Sequence, residues 1–323
     1  MSDLNGARIL VTGGAGFIGS HVVDAALAAG AESIAVVDTF FLGRDENLEA
    51  ARSRHGDALT VYRDDAGDLG AMSAICRAER PDVAFNLATK ALLYSFFNPV
   101  GAFQVNVSIA AALAELMRQR ALPKLVHLSS SEVYGTAQTI SMAEDHPLLA
   151  ETSYAAGKAA ADLLLMSYVN MYEIDVVTVR PFNNYGPRQN DGAFAAVVPL
   201  TIKRLLDGAA PVIEGDGLQT RDFIYVEDTV AAILALATTD AASGRTLNVG
   251  SGRETPIREI VETLCDIAGY SGEIVEAPAR AADVRRHRAD VGEAERLLGP
   301  LARTGLREGL ERTYSWHRSA LAA

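Results

Sequence analysis

The chain has 323 residues, 49% hydrophobic and 22% charged, which supports one large domain or two closely joined ones and excludes global disorder. Its net charge of −12 repels phosphate backbones and anionic lipid, so neither nucleic-acid binding nor a membrane-surface role is expected. Only Cys76 and Cys265 are present, without a CxxC pattern, and no HExxH spacing occurs, so no disulfide framework and no metal site is indicated.

Residues 7–13, ARILVTG, are a short apolar run closed by glycine and predict a buried strand. Residues 17–30 carry apolar side chains at helical spacing and end in Gly30, a good C-terminal cap. Strands follow at 33–38 and 59–64, a helix at 69–80 stopped by Pro81, and a fourth strand at 82–88. A long helix covers the stretch from Pro99 to Arg120. A fifth strand spans 124–130, a further helix 153–172 and a sixth strand 175–181. Strands alternating with helices predict an α/β fold, a doubly wound parallel sheet of Rossmann type. After Pro181 the rhythm breaks in PFNNYGPRQNDG (181–192). A first part is therefore expected over 1–181 and a smaller, interleaved part over 182–323. Residues 246–252, TLNVGSG, return a strand to the main sheet, so about 222–252 rejoins the first part. The N-terminus has no apolar leader, and no apolar run reaches the roughly 18 residues of a membrane span. The sparse thiols fit a reducing cytoplasm.

TGGAGFIGS (12–20) follows a predicted strand and opens a predicted helix. Gly14, Gly16 and Gly19 fit GxGxxG, and Gly13, Gly16 and Gly19 fit GxxGxxG. Glycines there allow a tight turn, close backbone approach to a pyrophosphate and close packing of helix on strand. The helix start supplies free N–H groups and a positive dipole end. Asp38 ends the second strand roughly 20 residues on, where a carboxylate grips ribose hydroxyls. That charge repels a 2′-phosphate, so NAD is expected rather than NADP. Asp65, after the third strand, is placed for the adenine amine, with Asp64 and Asp68 as competitors.

Tyr154 and Lys158 form YxxxK on a helix and share one face. A lysine's charge lowers a tyrosine's pKa, and a tyrosinate serves as a base near neutral pH. An ordinary amphipathic helix also accommodates YxxxK. Here, however, the fifth strand ends in Ser129, Ser130 and Ser131 at the same carboxyl edge of the sheet as the glycine turn. Ser130 is then placed to share a proton with the substrate hydroxyl that Tyr154 serves.

These segments resemble the extended short-chain dehydrogenase/reductase family, the NAD-dependent nucleotide-sugar epimerases, dehydratases and decarboxylases. TGGAGFIGS, Asp38, NLA (86–88), SSSEVYG (129–135), YAAGK (154–158) and RPFNNYGPRQ (180–189) follow the family's order over nearly the whole chain. The resemblance implies Ser130, Tyr154 and Lys158 as a catalytic triad. It implies Gly13, Gly16, Phe17, Ile18, Gly19, Asp38, Asp65, Leu87 and Ala88 around NAD, with Lys158 shared. Asn106 matches a structural asparagine. The implied substrate is a nucleotide-diphosphate sugar. Asn183 matches a contact to its phosphates, as do Arg221 in GDGLQTRDFIYVED (215–228) and Arg285 or Arg286 in DVRRHRAD (283–290). A solvated basic run is the plainer account of Arg285, Arg286 and Arg288. Where the family often has LAA, this chain has Ala88-Thr89-Lys90, so Lys90 borders the sugar pocket as a substrate contact or as a surface lysine. Family members commonly dimerise through the long helix and the YxxxK helix, so a homodimer is expected.

Glu132 separates the reaction classes that the resemblance implies. All start by oxidation at sugar C4. A 4,6-dehydratase then needs a carboxylate to take the C5 proton and an acid for the departing C6 hydroxyl. A 4-epimerase needs no second base, and its equivalents of Ser131 and Glu132 are usually small and neutral. A UDP-glucuronate decarboxylase must bind a carboxylate, for which Arg188 or Lys90 is the candidate. Ser129-x-x-Glu132 fits a capping box, but Val133-Tyr134-Gly135 does not read as a helix start, so Glu132 is expected to be a working base. The leading expectation is a 4,6-dehydratase, with Ser131 as a weak proton relay where the better-known dTDP-glucose dehydratases have aspartate. The alternatives are the epimerase, then the decarboxylase. An inert NAD-binding protein would be expected to have lost Ser130, Tyr154 or Lys158, and all three are present.

Overall fold

The computed structural model describes residues 3–279 and 284–322. Asp283, which opens the basic stretch, lies outside the described residues. The first half alternates strand and helix: β1 (Arg8–Thr12), α1 (Phe17–Ala28), β2 (Ser33–Val37), α2 (Glu49–His55), β3 (Leu59–Tyr62), α3 (Leu69–Glu79), β4 (Val83–Asn86), α4 (Pro99–Arg118), β5 (Lys124–Leu128), α5 (Ser153–Tyr172) and β6 (Asp175–Pro181). After Pro181 come β7 (Asn183–Tyr185), α6 (Val197–Leu206), β8 (Val212–Glu214), β9 (Thr220–Arg221), β10 (Phe223–Tyr225), α7 (Val226–Thr238), β11 (Thr246–Val249), β12 (Thr255–Pro256), α8 (Ile257–Ala268), β13 (Val275–Ala277), α9 (Gly292–Leu298) and α10 (Leu306–Ala322).

Seven strands form one parallel sheet in the order β11-β6-β5-β4-β1-β2-β3. The order reverses between β1 and β4, so the carboxyl ends of these two strands open a crevice. Strand periodicity explains why both faces are covered. Along β1, Ile9 and Val11 pack with α1 and α7, while Leu10 between them packs with α3, α4 and α5. β11 pairs with β6 through Thr246–Val249, so a strand does return to the sheet from late in the chain. Ala294 of α9 and Leu301 join the same core, which brings the chain back to the sheet once more, beyond the expected 222–252. The remaining elements pair as β7 with β10, β9 with β12 and β8 with β13. They enclose a separate core of Tyr185, Val198, Ile202, Phe223, Tyr225, Ile260, Leu264 and Leu310.

By length and composition α4 is apolar enough to cross a membrane, which the sequence reading did not anticipate; half of the apolar window is buried inside the protein. Its inner face, from Ala102 through Ile109, Leu113 and Leu116, packs in the sheet core. It also lies against α5, where a Cβ added at Gly157 would sit 2.7 Å from the Phe103 carbonyl oxygen. Only a residue without a side chain allows that approach. Gly157→Ala is therefore expected to cost about 1–3 kcal/mol by overpacking, read as a lowered urea midpoint. An unchanged midpoint would mean that α4 yields without cost.

Candidate active site

A cavity of about 400 Å³ lies over the crevice between β1 and β4. Gly13, Gly16, Phe17, Ile18, Gly19, Asp38, Leu87 and Ala88 line it, each expected around a dinucleotide. Gly13 has φ +70°, and a Cβ there would lie 2.8 Å from the Ala88 backbone, so a side chain would fill the cradle. A Cβ at Gly19 would overlap the Gly13 carbonyl. α1 starts after Gly16 with no side chain capping it, which leaves its N–H groups for an anion. Asp38 is 8% exposed and accepts backbone N–H groups from Ala15 at 3.0 Å and Phe40 at 2.8 Å. Burial pushes its pKa up, while those two bonds hold it down. Asp64 and Asp65 also line the cavity. Asp68 does not, because it caps α3 by accepting from Gly70 and Ala71. The residues present thus fit an NAD dinucleotide.

Lys90 lines the same cavity as Ser130 and Tyr154. Its ammonium lies 3.4 Å from the Phe41 ring centroid, and its charge interacts with Asp65 and Asp38. Arg188 pairs with Asp24 of α1 at 2.7 Å. It also lines the cavity, and its Nη1 is buried with no hydrogen-bond partner among the described residues.

The helical repeat of α5 brings Tyr154 and Lys158 to the cavity wall beside Ser130. Burial pushes the Tyr154 phenol up to about 12; the Glu132 charge adds to that rise, and the Ser130 and Thr89 hydroxyls oppose it. Lys158 is not among these influences, contrary to the expectation that its charge lowers the phenol. Its Nζ instead donates to the Leu128 carbonyl at 2.6 Å, and burial brings its pKa down to about 8. Asn106 is buried; it accepts from Thr89 at 2.7 Å and donates to the Tyr154 carbonyl at 3.5 Å. It ties α4, the loop after β4 and the start of α5 together. Thr89 was not singled out from the sequence, although the departure from LAA marked its position.

SSSEVYG forms a single 3-10 turn over Ser131–Tyr134. A helical turn does begin there, against expectation, and its cap is Ser130 rather than Ser129: Ser130 Oγ accepts from the Glu132 N–H at 3.2 Å. The tight turn sends neighbouring side chains in different directions. Ser130 faces the cavity. Ser131 is 3% exposed and faces His287 Nδ1 at 3.5 Å, away from the cavity. Burial, and next the Arg221 charge, bring His287 down to about 3, so it is neutral. Glu132 is half-buried and, like Ser131, is not among the residues that line the cavity.

The expected phosphate contacts lie apart from the cavity. Asn183 opens β7, and its Oδ1 is buried with no hydrogen-bond partner among the described residues. Arg221 donates to the carbonyls of Val284 at 2.5 Å and Thr220 at 2.9 Å. Arg285 forks onto Asp216 and Arg286 onto Glu254. Buried Asp222 gathers this region: it accepts from Ser251 and Gly252 after β11 and from Ala289.

The family model described as GDP-mannose 4,6 dehydratase matches residues 10–313. A UDP-glucose 4-epimerase of Mycolicibacterium smegmatis is 37% identical over 97% of this chain and 99% of its own length. The crystal structure of a UDP-glucose 4-epimerase from Thermotoga maritima with UDP-glucose superposes with a TM-score of 0.91 at 31% identity, covering 97% of this chain and 99% of that one. A dTDP-glucose 4,6-dehydratase from Streptomyces venezuelae with NAD bound has the same TM-score at 30% identity and 98% coverage of both. NAD is the cofactor that the cradle takes. Asp38→Asn is expected to weaken NADH binding about tenfold, the worth of one charged hydrogen bond. It should also narrow the preference for NADH over NADPH in fluorescence titrations; an unchanged ratio would remove Asp38 as the selector.

Proposed function

We propose a reaction for this chain from one premise: it belongs to the extended short-chain dehydrogenase/reductase family of NAD-dependent nucleotide-sugar epimerases and dehydratases. The reaction is a nucleotide-sugar 4,6-dehydration. The observation that carries it is Glu132, a carboxylate next to Ser130 whose charge acts on the Tyr154 phenol.

Bound NAD supplies a hydride acceptor and the positive charge of its nicotinamide. Tyr154 takes the C4 hydroxyl proton, and Ser130 shares that proton. A neighbouring cation offsets what burial and Glu132 do to the phenol, since an opposite charge favours the ionised form. Lys158 lies one helical turn from Tyr154, so its ammonium steadies the tyrosinate once the cavity is filled. The ketone at C4 makes C5–H acidic, and Glu132 removes that proton. The C6 hydroxyl then leaves as water with the proton that Glu132 took, the hydride returns to C6, and the proton taken from the C4 hydroxyl completes C5. Asn183, Arg221, Arg285 and Arg286 hold the nucleotide diphosphate, with both exposed forks released from Asp216 and Glu254 to reach it.

The alternative is a 4-epimerase, and one observation favours it. Ser131 faces His287 and not the cavity, so elimination lacks a second acid unless Glu132 returns its own proton. The decarboxylase is less well supported: Arg188 and Lys90 both line the cavity, but Arg188 pairs with Asp24 and the charge of Lys90 is met by Asp65 and Asp38. We place the protein in the cytoplasm, where its two buried free cysteines stay reduced. We also propose a homodimer, built on the outward face of α4 and α5, where Val100, Phe103, Leu163 and Met166 are exposed.

Incubation with UDP-, dTDP-, GDP- and CDP-sugars, including UDP-glucuronate, followed by mass analysis, is expected to show loss of water. Loss of carbon dioxide would mean decarboxylation, and an isomer of unchanged mass would mean epimerisation. Glu132→Gln is expected to lower dehydration by about 100-fold or more, the usual worth of a general base, while NADH still accumulates from C4 oxidation. Full turnover in Glu132→Gln would remove Glu132 as the base. For the dimer, Leu163→Glu is expected to elute as a monomer by light scattering; a variant that stays dimeric would exclude this face.

A further inference from the structure

Lys158 carries its charge in the interior. It is 3% exposed, and its Nζ has a carbonyl acceptor at Leu128, which supplies a hydrogen bond but no counter-charge. An ammonium taken out of water without a counter-charge gives up its proton. One turn further along α5, on the same face, stands Asp162, 2% exposed. It occupies the third position of a four-residue repeat that begins with Tyr154 and Lys158, and its charge acts on Lys158.

Asp162 meets side chains from two strands, and one of them holds it by a hydrogen bond. From β6, Arg180 Nε donates to its Oδ2 at 2.9 Å. Arg180 is itself held, donating to the Tyr134 hydroxyl and the Glu144 carbonyl, each at 3.0 Å. From β5, His127 Nε2 lies 3.8 Å from Asp162 Oδ1, and neither atom has a hydrogen-bond partner among the described residues. His127 Nδ1 lies 2.8 Å from Asn86 Nδ2, whose own Oδ1 accepts from Thr12, so the histidine is the acceptor at Nδ1 and carries its hydrogen at Nε2. Burial, and next the charge of Lys158, keep His127 neutral, well below its usual pKa. The groups facing Asp162 are thus two cations, Lys158 and Arg180, the neutral imidazole, the Ser129 hydroxyl and the Tyr134 phenol; burial pushes the Asp162 carboxyl up, and the Arg180 charge and the Ser129 hydroxyl hold it down. Glu132, the other nearby carboxylate, acts on Tyr154 and not on Lys158. One carboxylate serves two buried cations.

We propose that Asp162 is a positioning residue for the reaction: clamped by Arg180, it is the fixed counter-charge that keeps Lys158 an ammonium at the cavity wall. This rests on Tyr154 and Lys158 forming the acid–base pair. Its consequence is a pH dependence. Lysine is charged below its pKa, so removing the Asp162 charge makes Lys158 neutral at a lower pH, and the alkaline limb of turnover moves down with it.

The chain has four lysines, Lys90, Lys124, Lys158 and Lys203, so 13C-lysine NMR resolves each, with Lys158 assigned by its loss in Lys158→Met. In the wild type Lys158 is expected to titrate near pH 8. In Asp162→Asn the midpoint should fall by about one pH unit or more, the effect of losing one close opposite charge, and in Asp162→Glu it should stay. Asp162→Asn leaves Arg180 buried and unpaired, which can unfold the protein. The double variant Asp162→Asn, Arg180→Gln removes both charges and should show the same fall. With dTDP-glucose and UDP-glucose as probes, the alkaline limb of NADH formation should move to lower pH in step. A Lys158 titration that does not move in the folded variants overturns the proposal. Tyr154→Phe that retains turnover would instead sink the acid–base pair itself, an outcome the lysine titration does not mimic.

Discussion

Helix α5 lies close enough to α4 and to the ends of β5 and β6 that a lysine is carried into the protein interior. The approach is possible because Gly157 presents no Cβ to the Phe103 backbone. Lys158, the next residue, then has no route to solvent except the cavity. Its hydrogen bond must go to a strand carbonyl, and its charge must be met from within the helix. The same approach sets Tyr154 at the mouth of the crevice, with the strand end that carries Ser130 beside it. Widening this contact would change helix packing, lysine burial and the tyrosine's environment together.

Beneath the cavity, polar side chains run across the sheet where an ordinary core would be apolar. Thr12, Asn86 and His127 end three adjacent strands and bond in series. Asp162 and Arg180 continue the line to β6, and Tyr134 bonds to Asn248 of β11. Buried polar groups that satisfy one another resist rearrangement, since each lost partner leaves a desolvated group behind. The row thus stiffens the carboxyl edge that holds the dinucleotide, and the orphaned pair of His127 Nε2 and Asp162 Oδ1 is its loosest point.

The turn after β5 distributes chemistry by geometry. Within one 3-10 turn, Ser130 is given to the cavity, Ser131 to His287 and Glu132 to the neighbourhood of Tyr154. A dehydratase and an epimerase share the first of these. They differ in how the other two are used, which is why the burial of Ser131 bears on the reaction more than its identity does.

The sheet, its winding and the dinucleotide cradle were legible in the sequence because each rests on local rules: apolar runs of strand length, glycines at a turn, a carboxylate ending the second strand. α5 was legible residue for residue for the same reason, and so was the return of β11. Asp162 was visible as a third position of the YxxxK spacing, but spacing does not tell a buried carboxylate from a solvated one. The directions of Ser131, Lys90 and Arg188 depended on residues far away in the chain, His287, Phe41 and Asp24. So did the exposed forks of Arg285 and Arg286 on Asp216 and Glu254. The amino-acid sequence by itself determined the fold, the cofactor and the presence of Ser130, Tyr154 and Lys158 at one sheet edge, since local periodicity and turn chemistry encode them. Only the tertiary structure decided which charges meet. The protonation states of Tyr154 and His287 are set by burial and by partners that no local pattern brings together, and that of Lys158 by burial against a charge from its own helix.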